Sequence, residues 1–463
     1  MNIGLITLGC DKNTVDNEYI AGLLESRGCR VVFEAQPGTP GLDAVLVLTC
    51  GFIADAREQS VETLLSWAEV KTRDGAPRLY AAGCLAQRHG AELLDAIPEL
   101  DGVAGVGRFE QTVELVMSGA RRANRIQPEP LVEVHSPLPR RRAGTLPYAF
   151  LKIADGCNHA CSFCSIPLMK GRLRSVPRAI LLEEAALLLE SGVRELVLVA
   201  QDISVYGRDL GDAQGLPGLL RELCALSGDF WIRCMYCYPG GISRELLDVM
   251  AEEPKIVPYI DVPLQHVDAD LLRRMRRPSS NLSPHRLVAR LRQALPGIAI
   301  RSTMLVGLPG ETPASHRRML EAIRELRFDW LGAFSYSREP GTPAAEAPRQ
   351  VGARVRLKRW EAVMAAQAEI AEEKSRARMG GLERVLVEGY DPNRGLWFGR
   401  SGREAPEVDG TVLLQAGTPL EPGHFVSAKI IGAETYDVLA QVLEAPATDA
   451  RECVRDAEGK DGT

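Results

Sequence analysis

Residues Asp155 to Cys164 read Asp-Gly-Cys-Asn-His-Ala-Cys-Ser-Phe-Cys, placing Cys157, Cys161 and Cys164 in C-x3-C-x2-C spacing after the apolar run Tyr148 to Ala154. Three thiolates this close can hold three irons of a cubane [4Fe–4S] cluster, which normally takes four cysteines, so one iron stays open. An open iron points to chemistry. The same residues admit a zinc knuckle, in which C-x2-C is the common half-site and His159 or another side chain supplies the fourth ligand. Zinc half-sites seldom come as a crowded triplet without a second pair.

An iron with a free position can chelate the amino and carboxylate groups of S-adenosylmethionine and pass one electron into its sulfonium, releasing a 5′-deoxyadenosyl radical. The spacing, with Phe163 before the last cysteine, resembles the motif of the radical S-adenosylmethionine superfamily. Such a site needs a scaffold, and the residues after the loop supply one. Apolar strands are predicted at Glu195 to Ala200, Trp231 to Cys237, Ile260 to Pro263, Ile298 to Val306 and Trp330 to Ser335, with helical stretches between them. Repeated βα units imply a full or partial barrel, whose working end is the carboxyl end of the strands. Gln201, Gln265, Gly307 and Glu311 fall there and, with Phe163, are the candidate cofactor contacts. A cofactor with a charged methionine end, a ribose and an adenine needs amide and carboxylate partners and bare backbone. Cys234 and Cys237 also form C-x2-C, but they lie in an apolar segment and read as core.

The N-terminal third carries a second trio. Apolar runs at Ile3 to Leu8, Ala44 to Leu48 and Arg78 to Ala82 end at Gly9-Cys10, Cys50-Gly51 and Gly83-Cys84, and each is followed by a helical pattern. The alternation predicts an open parallel sheet, and functional residues gather outside the carboxyl ends of such strands. Cys10, Cys50 and Cys84 would therefore meet at one edge, the bland alternative being three unrelated buried thiols. Asp11, Lys12 and Asn13 either line the mouth of that site or form a solvated turn.

Residues 119–145 shift to Arg, Pro and polar types and read as an exposed linker, with Arg140-Arg141-Arg142 a solvated basic cluster. A charged helix is expected from Leu357 to Met379. Beyond it, short strands with Gly and Pro turns predict a small antiparallel β-barrel, and 447–463 reads as a disordered tail. Such barrels commonly bind RNA, but acidic residues outnumber basic ones here, which favours a basic protein partner.

With 463 residues, 45% hydrophobic, and a net charge of −6, the chain holds several cores and is not an overall electrostatic binder of nucleic acid. No leader pattern and no apolar stretch of about 18 residues is present, so a cytoplasmic location and no membrane are expected. Eleven cysteines in that setting point to metal or redox work.

The whole pattern resembles the methylthiotransferase family of the radical S-adenosylmethionine superfamily. The likeness is carried by Leu8-Gly9-Cys10-Asp11-Lys12-Asn13, Thr49-Cys50-Gly51-Phe52-Ile53, Gly83-Cys84-Leu85-Ala86-Gln87-Arg88, the cluster loop and a last piece similar to a TRAM domain. Lys12 to Asp16, Asp261 to His266 and Ala405 to Gly410 resemble the branch that modifies a ribosomal protein; Asp11 and Asn17 depart from the residues common there. The resemblance implies an α/β chain in parts: an N-terminal methylthiotransferase domain (1–118), the linker, a radical core (146–378), a TRAM domain (379–446) and the tail. It implies two [4Fe–4S] clusters, one on Cys157, Cys161 and Cys164 and one on Cys10, Cys50 and Cys84. The first would generate the radical and the second would carry the sulfur, with two molecules of S-adenosylmethionine consumed per product. The substrate implied is an aspartate of the small-subunit ribosomal protein uS12, methylthiolated at its β-carbon, and the electron donor a flavodoxin or ferredoxin. Methylthiolation of an isopentenylated adenosine in tRNA is the alternative within the family, and a non-catalytic metal-binding RNA adaptor the alternative outside it.

Overall fold

The computed structural model describes residues 1–71, 77–130, 138–277 and 283–443. The predicted tail, residues 447–463, lies outside them. The first part of the chain runs β1 (Asn2–Thr7), α1 (Asp11–Ser26), β2 (Arg30–Phe33), β3 (Ala44–Thr49), α2 (Ala54–Glu69), β4 (Arg78–Gly83), α3 (Cys84–Ala96), β5 (Leu100–Ala104), α4 (Phe109–Ser118) and β6 (Ala123–Arg125). Its six strands form one parallel sheet in the order β2-β1-β3-β4-β5-β6. The runs that end at the three predicted cysteines are β1, β3 and β4, and these are neighbours in the sheet. Their interiors are apolar because helices cover both faces of a parallel sheet. The sixth strand comes from the stretch expected to be linker.

The second sheet is also parallel and six-stranded, built from β7 (Tyr148–Lys152), β10 (Glu195–Val199), β11 (Trp231–Cys234), β12 (Ile256–Asp261), β13 (Ala299–Val306) and β14 (Trp330–Ser335) in sequence order across the sheet. It is open, with no pairing of β7 to β14, so the barrel is partial. A two-strand ladder of β8 (Ala154–Asp155) and β9 (Arg174–Ser175) closes the base of the cysteine loop. The helices are α5 (Ile166–Lys170), α6 (Arg178–Glu190), α7 (Gly215–Cys224), α8 (Arg244–Glu252), α9 (Ala269–Arg274), α10 (Pro284–Ala294), α11 (Pro313–Leu326) and α12 (Ala353–Ala377). Cys234 and Cys237 are fully buried in the main core, as their apolar setting predicts. The middle of α12 packs on this core through Val363, Ala366 and Ile370.

Chain contacts divide the protein at Ala371 into two compact units, the first holding both parallel sheets. The second contains a closed five-stranded barrel of β15 (Leu382–Asp391), β16 (Leu396–Ser401), β17 (Val412–Gln415), β18 (Phe425–Ala433) and β19 (Val438–Val442). Four of its strand pairs are antiparallel as expected; the pair β17–β19 is parallel. Among the described residues no helix is long and apolar enough to cross a membrane.

Candidate active site

Cys10 caps α1, Cys50 follows β3 and Cys84 is the first residue of α3, so all three lie between a strand's carboxyl end and a helix. Adjacent strands thus carry the trio side by side. Glycines let the turns close: Gly9 has φ +99 and a Cβ on it would sit 2.8 Å from the Cβ of Cys50, while one on Gly51 would sit 2.9 Å from the backbone nitrogen of Leu85. Asp11, Lys12 and Asn13, read as a mouth or a solvated turn, form the first turn of α1, and Lys12 and Asn13 are buried. The solvated alternative fails for Lys12 and Asn13; the Asn13 side-chain amide donates to the carbonyls of Leu8 at 2.7 Å and Thr49 at 3.3 Å. The Lys12 ammonium lies 3.4 Å from the centroid of Tyr236, a residue just past β11 with φ +59.

Cys157, Cys161 and Cys164 lie on the loop above the β8–β9 ladder. Gly156 reverses the chain there with φ +73, and a Cβ would sit 2.1 Å from the carbonyl oxygen of Arg172. Gly156→Ala is therefore expected to destabilise the fold by about 1–3 kcal/mol and to lower iron uptake by this loop, as measured by unfolding midpoint and iron content. Cys157 receives a hydrogen bond from the His159 amide at 3.4 Å, and the Arg277 guanidinium donates to Cys161 at 3.5 Å. The His159 contact favours thiolate sulfur at Cys157. The phenyl ring of Phe163 packs with Leu271, Met275, Leu308 and Tyr336 and anchors the loop to the core.

His159, considered above as a fourth zinc ligand, is engaged elsewhere. Its ring stacks on Tyr238 at 3.9 Å and its Nε2 lies 2.6 Å from Asp202. No three His, Cys, Asp or Glu side chains among the described residues converge as a single metal ion requires; a cubane spreads its ligands more widely. All six site cysteines are free thiols. Burial pushes Cys157 up to about 11, and Cys164 and Cys84 up to about 12; it also raises Cys50. Loading metal onto these sulfurs must expel protons, so binding strengthens as pH rises.

The two trios border one seam. Ser165, next to Cys164, donates to the carbonyl of Phe52 at 3.4 Å, two residues from Cys50. Met169 and Ile166 of α5 pack directly on Cys84. The α2 amide of Ala54 binds Ser337 at 3.2 Å, and Arg57 and Arg88 both pair with buried Glu339 beyond β14. Beneath the seam lies a buried quartet: Lys152 and Lys170 face Asp16 of α1 and Asp155 beside the cysteine loop. Lys170 lies 3.1 Å from Asp16 and 3.2 Å from Asp155. Burial opposes the charge of Asp155, but the two ammonium groups outweigh it and hold its carboxyl well below the usual range. Sequence reasoning missed this quartet, although a lysine closing the apolar run Tyr148 to Lys152 was a visible signal. Arg140 corrects another expectation: with Glu18 and Glu184 it forms a buried bridge across the two sheets' helices. The expected solvated cluster does not describe it, because Glu184 would otherwise be buried without a counter-charge.

The remaining predicted contacts cluster at the carboxyl edge of the second sheet. Gln201 donates to Asp155 at 2.9 Å, leaving its Oε1 buried without a partner. Gln265 holds φ +70 and bridges Met304 through its backbone. Gly307 has φ +80 and its amide donates to Glu311. Glu311 also pairs with Arg359 at 2.9 Å and lies 3.7 Å from both His266 and His316. Burial alone would raise Glu311, but these neighbours, with the histidines foremost, hold it at about 2 against an ordinary 4.5. Its stabilising effect is therefore full above pH 4.5 and lost as pH falls towards 2. Glu311→Gln is expected to cost up to about 3 kcal/mol at neutral pH. Urea unfolding of the two proteins should converge as pH falls through that window.

The fold and the cysteine loop define a radical S-adenosylmethionine enzyme class: residues 151–323 match the Radical SAM superfamily, residues 2–105 match Uncharacterized protein family UPF0004, and residues 379–443 match the TRAM domain. Two solved structures of the radical S-adenosylmethionine methyltransferase TsrM from Kitasatospora setae share this fold. One, with cobalamin and a [4Fe–4S] cluster bound, superposes with TM-score 0.53 at 17% identity, covering 83% of this chain and 80% of that one. The other, with tryptophan and a SAM analog, gives 0.54 at 16%, covering 85% and 80%. Among sequence relatives, ribosomal protein uS12 methylthiotransferase RimO of Desulforudis audaxviator is 44% identical over 95% of this chain and 97% of its own length. RimO of Trichlorobacter lovleyi is 40% identical over 96% and 98%, and RimO of a Roseiflexus species 43% over 97% and 99%. The chain belongs to the RimO family of ribosomal protein uS12 methylthiotransferases.

Proposed function

We propose that this chain methylthiolates the β-carbon of an aspartate in ribosomal protein uS12, drawing on two [4Fe–4S] clusters and S-adenosylmethionine. The observation that supports the reading is the seam, where Ser165 bonds the Phe52 carbonyl and α5 packs on Cys84, so that segments flanking the two trios meet. Cys157, Cys161 and Cys164 would hold the first cluster and Cys10, Cys50 and Cys84 the second; free thiols, N–H···S contacts and close-packed glycine turns fit both. When bound, a cluster with an open iron supplies the electron that cleaves S-adenosylmethionine to the radical an unactivated C–H bond requires.

The protein's own groups orient and enclose this chemistry. Gln201, with its unpartnered Oε1, and the half-buried Gln265 would meet the polar parts of S-adenosylmethionine. Gly307 is not bare backbone: the Arg356 side chain covers it, its Cγ 2.3 Å from where an added Cβ would stand, so the ring would meet the loop through Arg356. Phe163 holds the loop down, and Glu311 acts at one remove by fixing the Gly307 amide. The buried quartet keeps the loop's base rigid against α1. A flavodoxin or ferredoxin supplies electrons, in the cytoplasm where ribosomes assemble.

The last barrel fits a basic protein better than an RNA backbone. Its Arg378 pairs with Glu383 and Glu404 and its Arg400 with Glu388, while Glu407, Glu421 and Glu434 are exposed. The deciding experiment incubates the reconstituted protein anaerobically with S-adenosylmethionine, dithionite, and either small ribosomal subunits or tRNA. A methylthio mass added to a uS12 peptide is expected. Modification of isopentenyladenosine instead would overturn the substrate.

A further inference from the structure

Beside the first cysteine loop lies a cleft of about 330 Å³, whose lining includes Ser162, Leu308, Pro309 and three arginines, Arg274, Arg276 and Arg349. All three arginines are exposed. Their neighbours behave differently: Arg273 pairs with Asp270, Arg318 with Asp268 and Arg359 with Glu311. Among the described residues, no carboxylate pairs with the three in the cleft. In a chain of net charge −6, this is a local excess of positive charge without internal use.

The backbone holds two of these arginines deliberately. Arg276 follows the end of α9 with φ +53, a position where glycine usually terminates a helix, and Arg349 has φ +60. The Arg349 carbonyl accepts the Gly310 amide at 2.9 Å. The cleft is tied to the redox loop as well. The Ser162 amide donates to Met275, between Arg274 and Arg276, at 2.9 Å, and its carbonyl accepts from Ala344, another wall of the cleft, at 2.8 Å. Ser162 is the residue after Cys161.

We propose that this cleft is the docking surface for the acidic face of a one-electron carrier protein of the flavodoxin or ferredoxin class. The proposal rests on the reading that Cys157, Cys161 and Cys164 hold a reducible cluster. Electron transfer slows steeply with distance, so a carrier must reach the loop, and the cleft wall is the loop itself. The reduced carrier loses one electron and the cluster gains it; no bond is made or broken. Charge selects the partner: a basic ribosomal protein is repelled here, an acidic carrier attracted. An RNA backbone shares the negative charge but has no reason to seat one residue from a cluster ligand.

The test compares the parent with Arg274→Gln/Arg276→Gln/Arg349→Gln in the full, reconstituted chain, measuring 5′-deoxyadenosine formation driven either by reduced flavodoxin or by dithionite. With flavodoxin at low salt, the triple variant is expected to be at least ten-fold slower with a higher KM for the carrier, and to lose the parent's salt dependence. With dithionite the two should agree within two-fold, and the corresponding triple lysine variant should recover most of the carrier-driven rate. An unchanged carrier-driven rate overturns the proposal, as does an equal loss with dithionite, which would assign these arginines to the fold. Displacement of a bound RNA oligonucleotide by the substitutions, without any effect on the carrier, would also overturn it. A parent that forms no 5′-deoxyadenosine even with dithionite would refute the cluster reading instead.

Discussion

Cys157→Ala is expected to abolish 5′-deoxyadenosine formation, a loss of at least ~10³, because a loop with two sulfurs no longer fixes a cluster with a single open position. Iron should fall from about eight to about four per chain, two cubanes of four irons becoming one. The remaining residues argue that this is a local loss. Phe163 still packs on Leu271 and Met275, and the β8–β9 ladder still closes the base of the loop, so the fold should survive. Far-ultraviolet circular dichroism together with iron analysis checks this, and an active variant that keeps about eight irons would exclude Cys157 as a ligand.

Cys10→Ala should separate the two halves of the chemistry. Iron is again expected to fall to about four per chain. Here, however, 5′-deoxyadenosine formation should persist within a few-fold, while methylthio transfer to uS12 falls to background, a loss of at least ~10². The basis is structural: Cys10 caps α1 on the first sheet, whereas the other trio stands on the loop above the β8–β9 ladder. The trios share a seam but no residue. Methylthio transfer that survives Cys10→Ala would remove the second trio from the reaction.

How far the sequence reached depended on how each element announces itself. The strands β1, β3 and β4 are uninterrupted apolar runs ending at Gly-Cys or Cys-Gly pairs, and the cysteine edge was legible from them. The strands β2, β5 and β6 were not, being short and polar in places. In β5, Asp101 lies mid-pattern and is tolerated only because Lys71 and the Leu79 amide meet it. The meeting of the two trios was legible only through the family resemblance, since the contacts that make it, Ser165 with Phe52 and Lys12 with Tyr236, join residues more than a hundred apart. Glu311 read as a cofactor contact from its place after a strand, and the partners that turn it inward, His266, His316 and Arg359, come from three separate segments.

The quartet of Asp16, Lys152, Asp155 and Lys170 constrains how this sequence can drift. Two positive and two negative side chains are buried together, so losing any single member strands an opposite charge at a cost of about 3–5 kcal/mol. Neutral variation at these positions should therefore proceed in opposite-sign pairs, and an inherited change at Asp16 should travel with one at Lys152 or Lys170 even though more than 130 residues separate them in the gene product.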